Sequence, residues 1–270
     1  MNVIDLMTDP QLLGPYFAGG SWDRWRACLK AAAALPMTKR ELKLFREVAG
    51  DRDPPSKPVR VVIVVVGRGG GKDSIATGLV THAAVSVDST RLRPGERAIV
   101  LCLATDRDQA AIALSYIKGY FESVPLLNLL VDGRMRDDRI DLKNGVSIIV
   151  TTNNFRAPRG RTICAAVYDE VAFWKSENTA APDFEVDAAI APGLARWPGS
   201  LKILISSAYR RTGLLYDRYK ASWAQNDDDT LVVLGTSLQF NPTLDERIIA
   251  SELAKGSRAR ERRIFVTMAR

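Results

Sequence analysis

A run of glycines followed by a lysine ends an apolar stretch in the first third of the chain. Residues 59–74 read VRVVIVVVGRGGGKDS, and Gly69, Gly70 and Gly71 stand directly before Lys72. Glycines let phosphate oxygens approach backbone N–H groups, because no Cβ stands in the way. The lysine supplies a positive charge to the β and γ phosphates, and a helix that begins just after it directs its N-terminal dipole at the same anion. The spacing therefore predicts a loop that binds a nucleoside triphosphate.

The fit to the pattern G-x-x-x-x-G-K-[ST] is incomplete at two positions. Val66 stands at the first glycine, and Asp73 replaces the Ser or Thr that normally holds Mg²⁺. A carboxylate beside a triphosphate is repelled unless a cation lies between them. We therefore expect Asp73 to join the Mg²⁺ shell through water, with Ser74 as the other candidate. The strand, the lysine and the following helix together favour this loop over a flexible turn after a core strand.

An acidic pair follows a second apolar run, TICAAVY at 162–168. Asp169 comes at the carboxyl end of that predicted strand, where it can hold Mg²⁺ directly or through water. Glu170 is next along the chain and can act as the general base for a water in line with the γ phosphate. Two solvated acids at a strand end are the alternative, which the phosphate loop makes the weaker one.

An arginine and a serine pair complete the set that phosphoryl transfer to water requires: a cradle, a metal, a base and a cation on the developing charge. Arg68 lies inside the glycine loop, close enough in sequence to reach the γ phosphate as an arginine finger. Ser206 and Ser207 end a strand that can lie beside the phosphate loop, where a hydroxyl would sense the γ phosphate. A surface arginine and an ordinary turn are the alternatives for these residues.

The elements that must position these residues alternate between strand and helix, which is typical of a parallel α/β sheet. Residues 61–66 are too apolar and too β-branched for a surface strand, and they predict a strand that is buried on both faces. The remaining predicted elements are strands at 98–104, 162–168, 201–205 and 231–235, a hairpin at 139–151, and helices at 74–87, 106–123, 213–224 and in the tail.

We expect three parts: an N-terminal helical piece with a linker at 1–57, a phosphate-loop ATPase core at 58–240, and a basic helical tail at 241–270. The N-terminal piece has two helices that are broken near Pro36, with Trp22 and Trp25 on one helical face. These tryptophans are expected to be packing anchors, and the alternative is that one of them lines an adenine pocket.

Composition limits the functional class. Of the 270 residues, 46% are hydrophobic and 26% are charged, as in ordinary globular proteins. Lys and Arg number 38 against 31 Asp and Glu, and the net charge of +7 favours a polyanionic partner such as nucleic acid. No apolar span reaches membrane length, so no membrane partner is expected. Cys28, Cys102 and Cys164 predict buried thiols rather than a disulfide or a zinc site.

Four stretches resemble the ATPase domain of the large terminase subunits of tailed bacteriophages, the motors that package viral DNA. They are GRGGGK at 67–72, RAPRGRT at 156–162, VYDEVAFW at 167–174 and SSAYRRTGLLYDRYK at 206–220. Together they span most of residues 59–220, and VYDEVAFW is the most specific of them. The resemblance implies an ASCE-type P-loop NTPase, an α/β fold in which helices flank a mainly parallel β-sheet.

The residues and the resemblance together give four groups of candidates. Catalysis is assigned to Glu170, Arg68 and Lys72, and the metal to Asp169 and Asp73. ATP is expected to contact Gly67, Arg68, Gly69, Gly70, Gly71, Lys72, Asp73 and Ser74, and hydrolysis is coupled to movement by Ser206, Ser207 and Ala208. Basic clusters suit phosphate contacts that ignore DNA sequence. The candidates for contacts with DNA or with a neighbouring subunit are Arg156, Arg159 and Arg161.

The leading hypothesis is an Mg²⁺-dependent ATP hydrolase that drives translocation of double-stranded DNA during phage genome packaging. The resemblance implies a homo-oligomeric ring, a portal protein and a small terminase subunit as partners, and the host cytoplasm with transient docking on the procapsid. An isolated motor domain of this kind can also be monomeric. Full-length members of the family continue into a nuclease domain and this chain stops at Arg270, so we expect a motor domain without nuclease activity.

Two alternatives remain, a second kind of ATPase and a binding module. A helicase or DNA-repair ATPase would share the phosphate loop and the acidic pair, and strand separation would distinguish it. A nucleotide-binding module without turnover is suggested by Asp73, and it would bind ATP without releasing phosphate.

Overall fold

The computed structural model describes residues 1–153, 161–174 and 182–254 of the chain. Within these ranges, helices lie on both faces of a seven-stranded sheet. Cys28, Cys102 and Cys164 are free thiols in the interior, as predicted. Among the described residues, no helix has the length and apolar character needed to cross a bilayer.

The sheet is parallel except at one edge. Its strands are β1 (Val61–Val66), β2 (Ala98–Ala104), β3 (Arg139–Asp141), β4 (Val146–Thr152), β5 (Thr162–Asp169), β6 (Leu201–Ser206) and β7 (Thr230–Gly235). Their order across the sheet is β3-β4-β2-β5-β6-β1-β7. β3 pairs antiparallel with β4 in the predicted hairpin, and every other pair of neighbours is parallel. The predicted mainly parallel α/β sheet is thus confirmed.

The helices connect the strands and cover both faces. They are α1 (Val3–Thr8), α2 (Asp23–Ala32), α3 (Lys39–Ala49), α4 (Lys72–Val85), α5 (Arg107–Ser123), α6 (Pro125–Asn128), α7 (Pro182–Ala195), α8 (Leu214–Ser222), α9 (Ser237–Phe240) and α10 (Glu246–Ala254). The predicted tail helix is α10 as far as it is described, and the rest of the tail lies outside the described residues.

Strand β1 shows how the two faces are filled. Val62 and Val64 belong to one apolar cluster, and Ile63 and Val65 belong to a second. The first cluster includes side chains of α1 to α5, and the second includes side chains of α7 and α8. A strand that is covered on both faces must be apolar at every position, which explains why β1 lacks a polar alternation.

Several helices differ from the sequence-based expectation; α6 and α9, of four residues each, are not predicted. The sequence does not predict α1, which is only six residues long and so shows little periodicity. It does not predict α7 either, because Pro192 lies inside this helix and proline usually marks a helix boundary. Helix α4 begins at Lys72 rather than Ser74, since the left-handed residue before it already ends the loop.

Arg52 ties the linker before β1 to the loop that precedes β7. The side chain is buried, and it donates hydrogen bonds to the backbone carbonyls of Asp53, Asp227 and Thr230. Nearby, the carboxylate of Asp228 accepts from both the backbone and the hydroxyl of Ser56. The division of the chain at 57/58 and 240/241 stays a prediction.

We expect Arg52→Met to lower the free energy of unfolding by about 2 kcal/mol, because three carbonyl oxygens lose a charged donor. Urea denaturation of the full chain measures the change. Arg40→Met is the matched control: the Arg40 side chain is 78% exposed and pairs with Asp23 at the surface, so its loss should cost less than about 1 kcal/mol. Equal losses in the two variants would contradict the role of Arg52.

Candidate functional site

Three strands end at the same edge of the sheet, and each leads to a residue that the sequence singles out. β1 leads into the glycine loop, β5 ends at Asp169, and β6 ends at Ser206. β6 lies directly beside β1, with Val64 opposite Ile205, as expected. β6 also pairs with β5, so the serines lie between the glycine loop and the acidic pair.

The loop between β1 and α4 requires glycine for two separate reasons. At Gly71 the backbone is left-handed, with φ of 84°, which residues with a Cβ rarely adopt. At Gly70 a Cβ would lie 2.5 Å from Cγ1 of Val66, so a larger residue would clash with the end of the strand. Val66 itself is a buried residue of β1. Val66 thus extends the strand by one residue where the pattern has a glycine, and the loop still ends at Lys72.

Side chains from opposite ends of the chain hold this loop. Nε1 of Trp25 donates to the carbonyl of Gly70 (2.9 Å), and Nδ2 of Asn241 donates to the carbonyl of Gly69 (2.9 Å). Trp25 is fully buried and packs against Phe240, so the expectation of a packing anchor is right for this residue. Carbonyl oxygens repel phosphate, and tying them to donors outside the loop favours an anion inside it.

Trp22 differs from Trp25 because its ring is only partly buried. The ring lies against Gly71 and lines a cavity of about 160 Å³, which Phe240 and Asn241 also line. A cavity with aromatic walls beside a phosphate loop suits a nucleobase. The alternative of an adenine pocket therefore concerns Trp22.

The ammonium of Lys72 and the carboxylate of Glu170 form the centre of the site. Lys72 is only 5% exposed, and its Nζ lies 3.6 Å from Oε1 of Glu170. Nζ donates to Oγ of Ser207 (3.0 Å) and to the carbonyl of Gly67 (3.3 Å). Oε2 of Glu170 accepts from Oγ of Ser206 (2.9 Å) and from the backbone N–H of Ser207 (2.9 Å). Three separate sequence predictions thus meet in one hydrogen-bonded group, and the predicted coupling residue Ala208 follows in the core.

The backbone at Glu170 is left-handed, with φ of 46° and ψ of 41°. Residues other than glycine adopt this conformation rarely, and it costs about 1 kcal/mol or more. The bonds from Ser206 and Ser207 hold the side chain, and a 3₁₀ turn at Val171–Phe173 follows directly. Such strain at a hydrogen-bonded acid is typical of functional sites, and nothing in the sequence signals it.

Asp169 is a buried carboxylate with an unpaired oxygen. The residue is 7% exposed, and among the described residues its Oδ1 has no hydrogen-bond partner. Burial raises the pKa of Asp169 to about 7, and the carboxylates of Glu170 and Asp73 add to the rise. The backbone is fixed by Trp174, whose Nε1 donates to the carbonyl of Asp169 (2.9 Å). A fixed, unpaired carboxylate oxygen fits a magnesium ligand.

Asp73 is the second residue of α4, next to Lys72. Its side chain reaches solvent, yet lost hydration raises its pKa; Lys72 opposes the rise and Glu170 adds to it. Among the described residues, no group of three His, Cys, Asp or Glu lies close enough to hold a metal by itself. Asp73 and Asp169 fit Mg²⁺ as a pair, since this cation keeps several waters. The other candidate, Ser74, follows Asp73 in α4 and is partly buried.

Arg68 is exposed and lines an open cleft of about 540 Å³ that Glu170 also lines. Phe173 and Tyr209, whose ring centroids are 4.4 Å apart, form another wall of this cleft. The structure therefore brings the predicted arginine finger and the predicted base to one solvent-filled space.

The sequence matches no protein-family model and no curated protein. Its fold, however, is similar to solved structures of large terminases. The large terminase ATPase domain of Thermus phage P74-26 matches with a TM-score of 0.56 at 14% identity, over 88% of this chain and 96% of that domain. The chain has the fold of a terminase ATPase domain.

Two longer terminases share this terminase ATPase fold. The bacteriophage HK97 large terminase matches with a TM-score of 0.57 at 18% identity, over 82% of this chain and 47% of its own. The large terminase of a thermophilic bacteriophage, solved in complex with ATP-gamma-S, matches with a TM-score of 0.56 at 12% identity, over 91% of this chain and 52% of its own. This chain thus spans about half the length of these two proteins.

The structure describes only one of the three arginines that are predicted to contact DNA or a neighbouring subunit. Arg156 and Arg159 lie outside the described residues. Arg161 directly precedes β5, and Asp169 ends it, so roughly 25 Å of strand separates the two. Arg161 is therefore not brought to the phosphate loop of its own chain, and its role stays a prediction.

Helix α8, which follows the serine pair, is hydrogen-bonded to a side chain of α7. The buried carboxylate of Asp183 accepts from the backbone N–H of Leu214 at the start of α8 (2.7 Å). One turn further along α7, Asp187 accepts from the hydroxyl of Tyr168 on β5 (3.1 Å). Sequence reasoning misses both acids, because an acid in a helix looks like surface charge until its partner is known.

Asp169→Asn should stabilise the metal-free protein at high pH. The pKa of Asp169 rises from an ordinary 3.8 to about 7 on folding, so the folded chain binds the proton more tightly and loses stability as pH rises between these values. In EDTA, calorimetry should show a gain of roughly 2 to 4 kcal/mol at pH 8 and only about 1 kcal/mol at pH 4.5. An equal effect at both pH values would show that burial of the charged carboxylate is not the cause.

Proposed function

We propose that the chain is an Mg²⁺-dependent ATP hydrolase, the motor that drives double-stranded DNA into a phage capsid. The observation that carries the proposal is the contact of Lys72 and Glu170 with Ser206 and Ser207 at the end of three parallel strands. The terminase ATPase fold, and the complex of the thermophilic phage's terminase with ATP-gamma-S, support ATP as the ligand.

The residues from Gly67 to Ser74 bind the phosphates. Lys72 contacts the β and γ phosphates, and the first turn of α4 directs its N-terminal dipole to them. Asp169 and Asp73 hold Mg²⁺, which neutralises charge on the phosphate oxygens when it is bound. Lys72 also faces the carboxylate of Glu170, so the arriving phosphate competes with that carboxylate for its charge.

Glu170 orients the attacking water and accepts its proton. Two hydrogen bonds from Ser206 and Ser207 to Oε2 fix the carboxylate, which leaves Oε1 as the oxygen nearer to Lys72. Once the γ phosphate draws Lys72 away, Oε1 can accept a proton from water. Arg68 reaches from the shared cleft to the charge that develops on the γ phosphate.

Coupling to movement begins at the same serines. Ser207 contacts both Lys72 and Glu170, so phosphate binding and release change its hydrogen bonds. The segment from Ser206 to Ala208 leads to α8, whose first turn is held by Asp183. A change in the hydrogen bonds of Ser207 thereby shifts α8 together with α7, to which it is hydrogen-bonded.

The partners follow from the resemblance and from charge. Double-stranded DNA suits the net charge of +7, and its phosphates need no base-specific contact. A homo-oligomeric ring, a portal protein and a small terminase subunit belong to the same proposal, with the host cytoplasm as location. A nucleotide-binding module without turnover is the second candidate, because Asp73 adds a negative charge where the phosphates bind.

Glu170→Gln should abolish ATP hydrolysis and preserve ATP binding. The amide keeps the shape and can still accept from Ser206 and Ser207, but it cannot take up a proton, so kcat should fall by about 10²- to 10⁴-fold. Steady-state phosphate release with Mg²⁺ measures the change, with and without linear duplex DNA. Glu122→Gln, at an exposed position of α5, is the control and should retain full activity.

Stimulation of the wild type by duplex DNA without strand separation would support a packaging motor. Strand separation would support a helicase instead. ATP binding without phosphate release by the wild type, even with DNA present, would support the module without turnover and contradict the hydrolase.

Trp22→Ala should weaken ATP binding by roughly 5- to 150-fold, since stacking of a base on an aromatic ring contributes about 1–3 kcal/mol. Inorganic tripolyphosphate lacks a base, so its affinity should stay the same; calorimetric titration measures both ligands. Equal weakening of both ligands would mean that Trp22 supports the phosphate loop rather than the base.

A further inference from the structure

The first turn of α4 carries a charge that the phosphate-loop pattern does not include. Where the pattern has a Ser or Thr hydroxyl, this chain has Asp73. A hydroxyl is neutral and binds Mg²⁺ weakly by itself, so a cation at such a site depends on the phosphates. A carboxylate attracts a cation whether or not phosphate is present.

Asp169 lies on the face of the sheet that α4 covers. Side chains alternate along a strand, so Asp169 shares a face with Ala165 and Val167. These two residues pack in the apolar cluster that also contains Ile75 and Ala76 of α4. The unpaired Oδ1 of Asp169 therefore belongs to a residue on the face of the sheet that α4, the helix of Asp73, covers.

The charge balance at this edge is unfavourable without a cation. Asp73 follows Lys72 in the first turn of α4, and Asp169 and Glu170 are consecutive at the end of β5, so three carboxylates lie at this edge of the sheet. The ammonium of Lys72 opposes this negative charge, and it already contacts Glu170 and Ser207. An incoming triphosphate would add further negative charge to the same space.

We propose that Asp73 and Asp169 bind a divalent cation in the nucleotide-free protein, so that the metal can precede ATP. The inference rests on the proposed nucleotide site and adds an order of binding to it. Two carboxylates supply part of the shell and waters supply the rest, which suits Mg²⁺ or Mn²⁺. Because only two protein side chains are used, the dissociation constant should be on the order of 1 mM.

The same arrangement couples the affinity for the metal strongly to the affinity for ATP. Without metal, Asp73 repels the triphosphate; with metal, it helps to hold the cation that the phosphates share. Linkage requires that ATP tighten metal binding by the same factor by which metal tightens ATP binding. Replacement of Asp73 by serine restores the neutral hydroxyl and should reduce this factor.

The test is Mn²⁺ binding to the nucleotide-free full chain, followed by the electron paramagnetic resonance signal of free Mn²⁺. The wild type should bind one Mn²⁺, and Asp73→Ser should bind it at least about tenfold more weakly. Asp229→Ser is the control, because Asp229 is an exposed acid directly before β7, at the opposite edge of the sheet from the glycine loop. It should bind Mn²⁺ as the wild type does.

A second measurement compares ATP affinity with and without metal. In EDTA, Asp73→Ser should bind ATP about tenfold more tightly than the wild type, and Mg²⁺ should remove or reverse this difference. Failure of the nucleotide-free wild type to bind Mn²⁺ at millimolar concentration, or equal binding by Asp73→Ser, would overturn the inference. Mn²⁺ binding without ATP hydrolysis would contradict the proposed function alone, and hydrolysis without prior Mn²⁺ binding would overturn the inference alone.

Discussion

Lys72 is a buried ammonium in contact with a carboxylate that the proposed reaction needs free. A buried charge must be paired, and in this structure Glu170, Ser207 and the carbonyl of Gly67 satisfy it. The contact depends on the strand order, because β6 brings the serines between β1 and β5. Any anion that binds Lys72 must therefore disturb hydrogen bonds on three strand ends at once.

Buried tryptophan side chains hold the backbone on either side of this contact. Two indole N–H groups, those of Trp25 and Trp174, donate to backbone carbonyls of the phosphate loop and of the acidic pair. Both rings are fully buried, so the backbone that they hold is fixed by packing as well as by hydrogen bonding. The parts left free to move are then the side chain of Lys72 and the segment after Ser207.

Local patterns were sufficient to predict the strands, the hairpin, the glycine loop and the acidic pair, because each is recorded in a short run of residues. The valine run of β1 and the glycines before Lys72 are examples. The left-handed backbone of Glu170 and the bond from Trp25 to Gly70 could not be predicted. They depend on contacts between residues 36 to 45 positions apart, and a single sequence does not show which partners meet. The sequence shows that Asp73 departs from the phosphate-loop pattern, but it does not show which residues lie near Asp73 in the fold.

The position of β1 in the sheet has a consequence for synthesis of the protein. β1 carries the phosphate loop, yet its two neighbours come late: Val61 lies opposite Lys202 on one side and Thr230 on the other. A ribosome releases the chain from its N-terminus, so β1 lacks both neighbours until β6, at Leu201–Ser206, has been synthesised. During that interval VVIVVV is an unpaired, uncharged β-branched run of the kind that aggregates, bordered by Arg60 and Arg68 as charged gatekeepers. Because both neighbours of β1 are made late, the strand that carries the phosphate loop is exposed as an aggregation-prone run during synthesis.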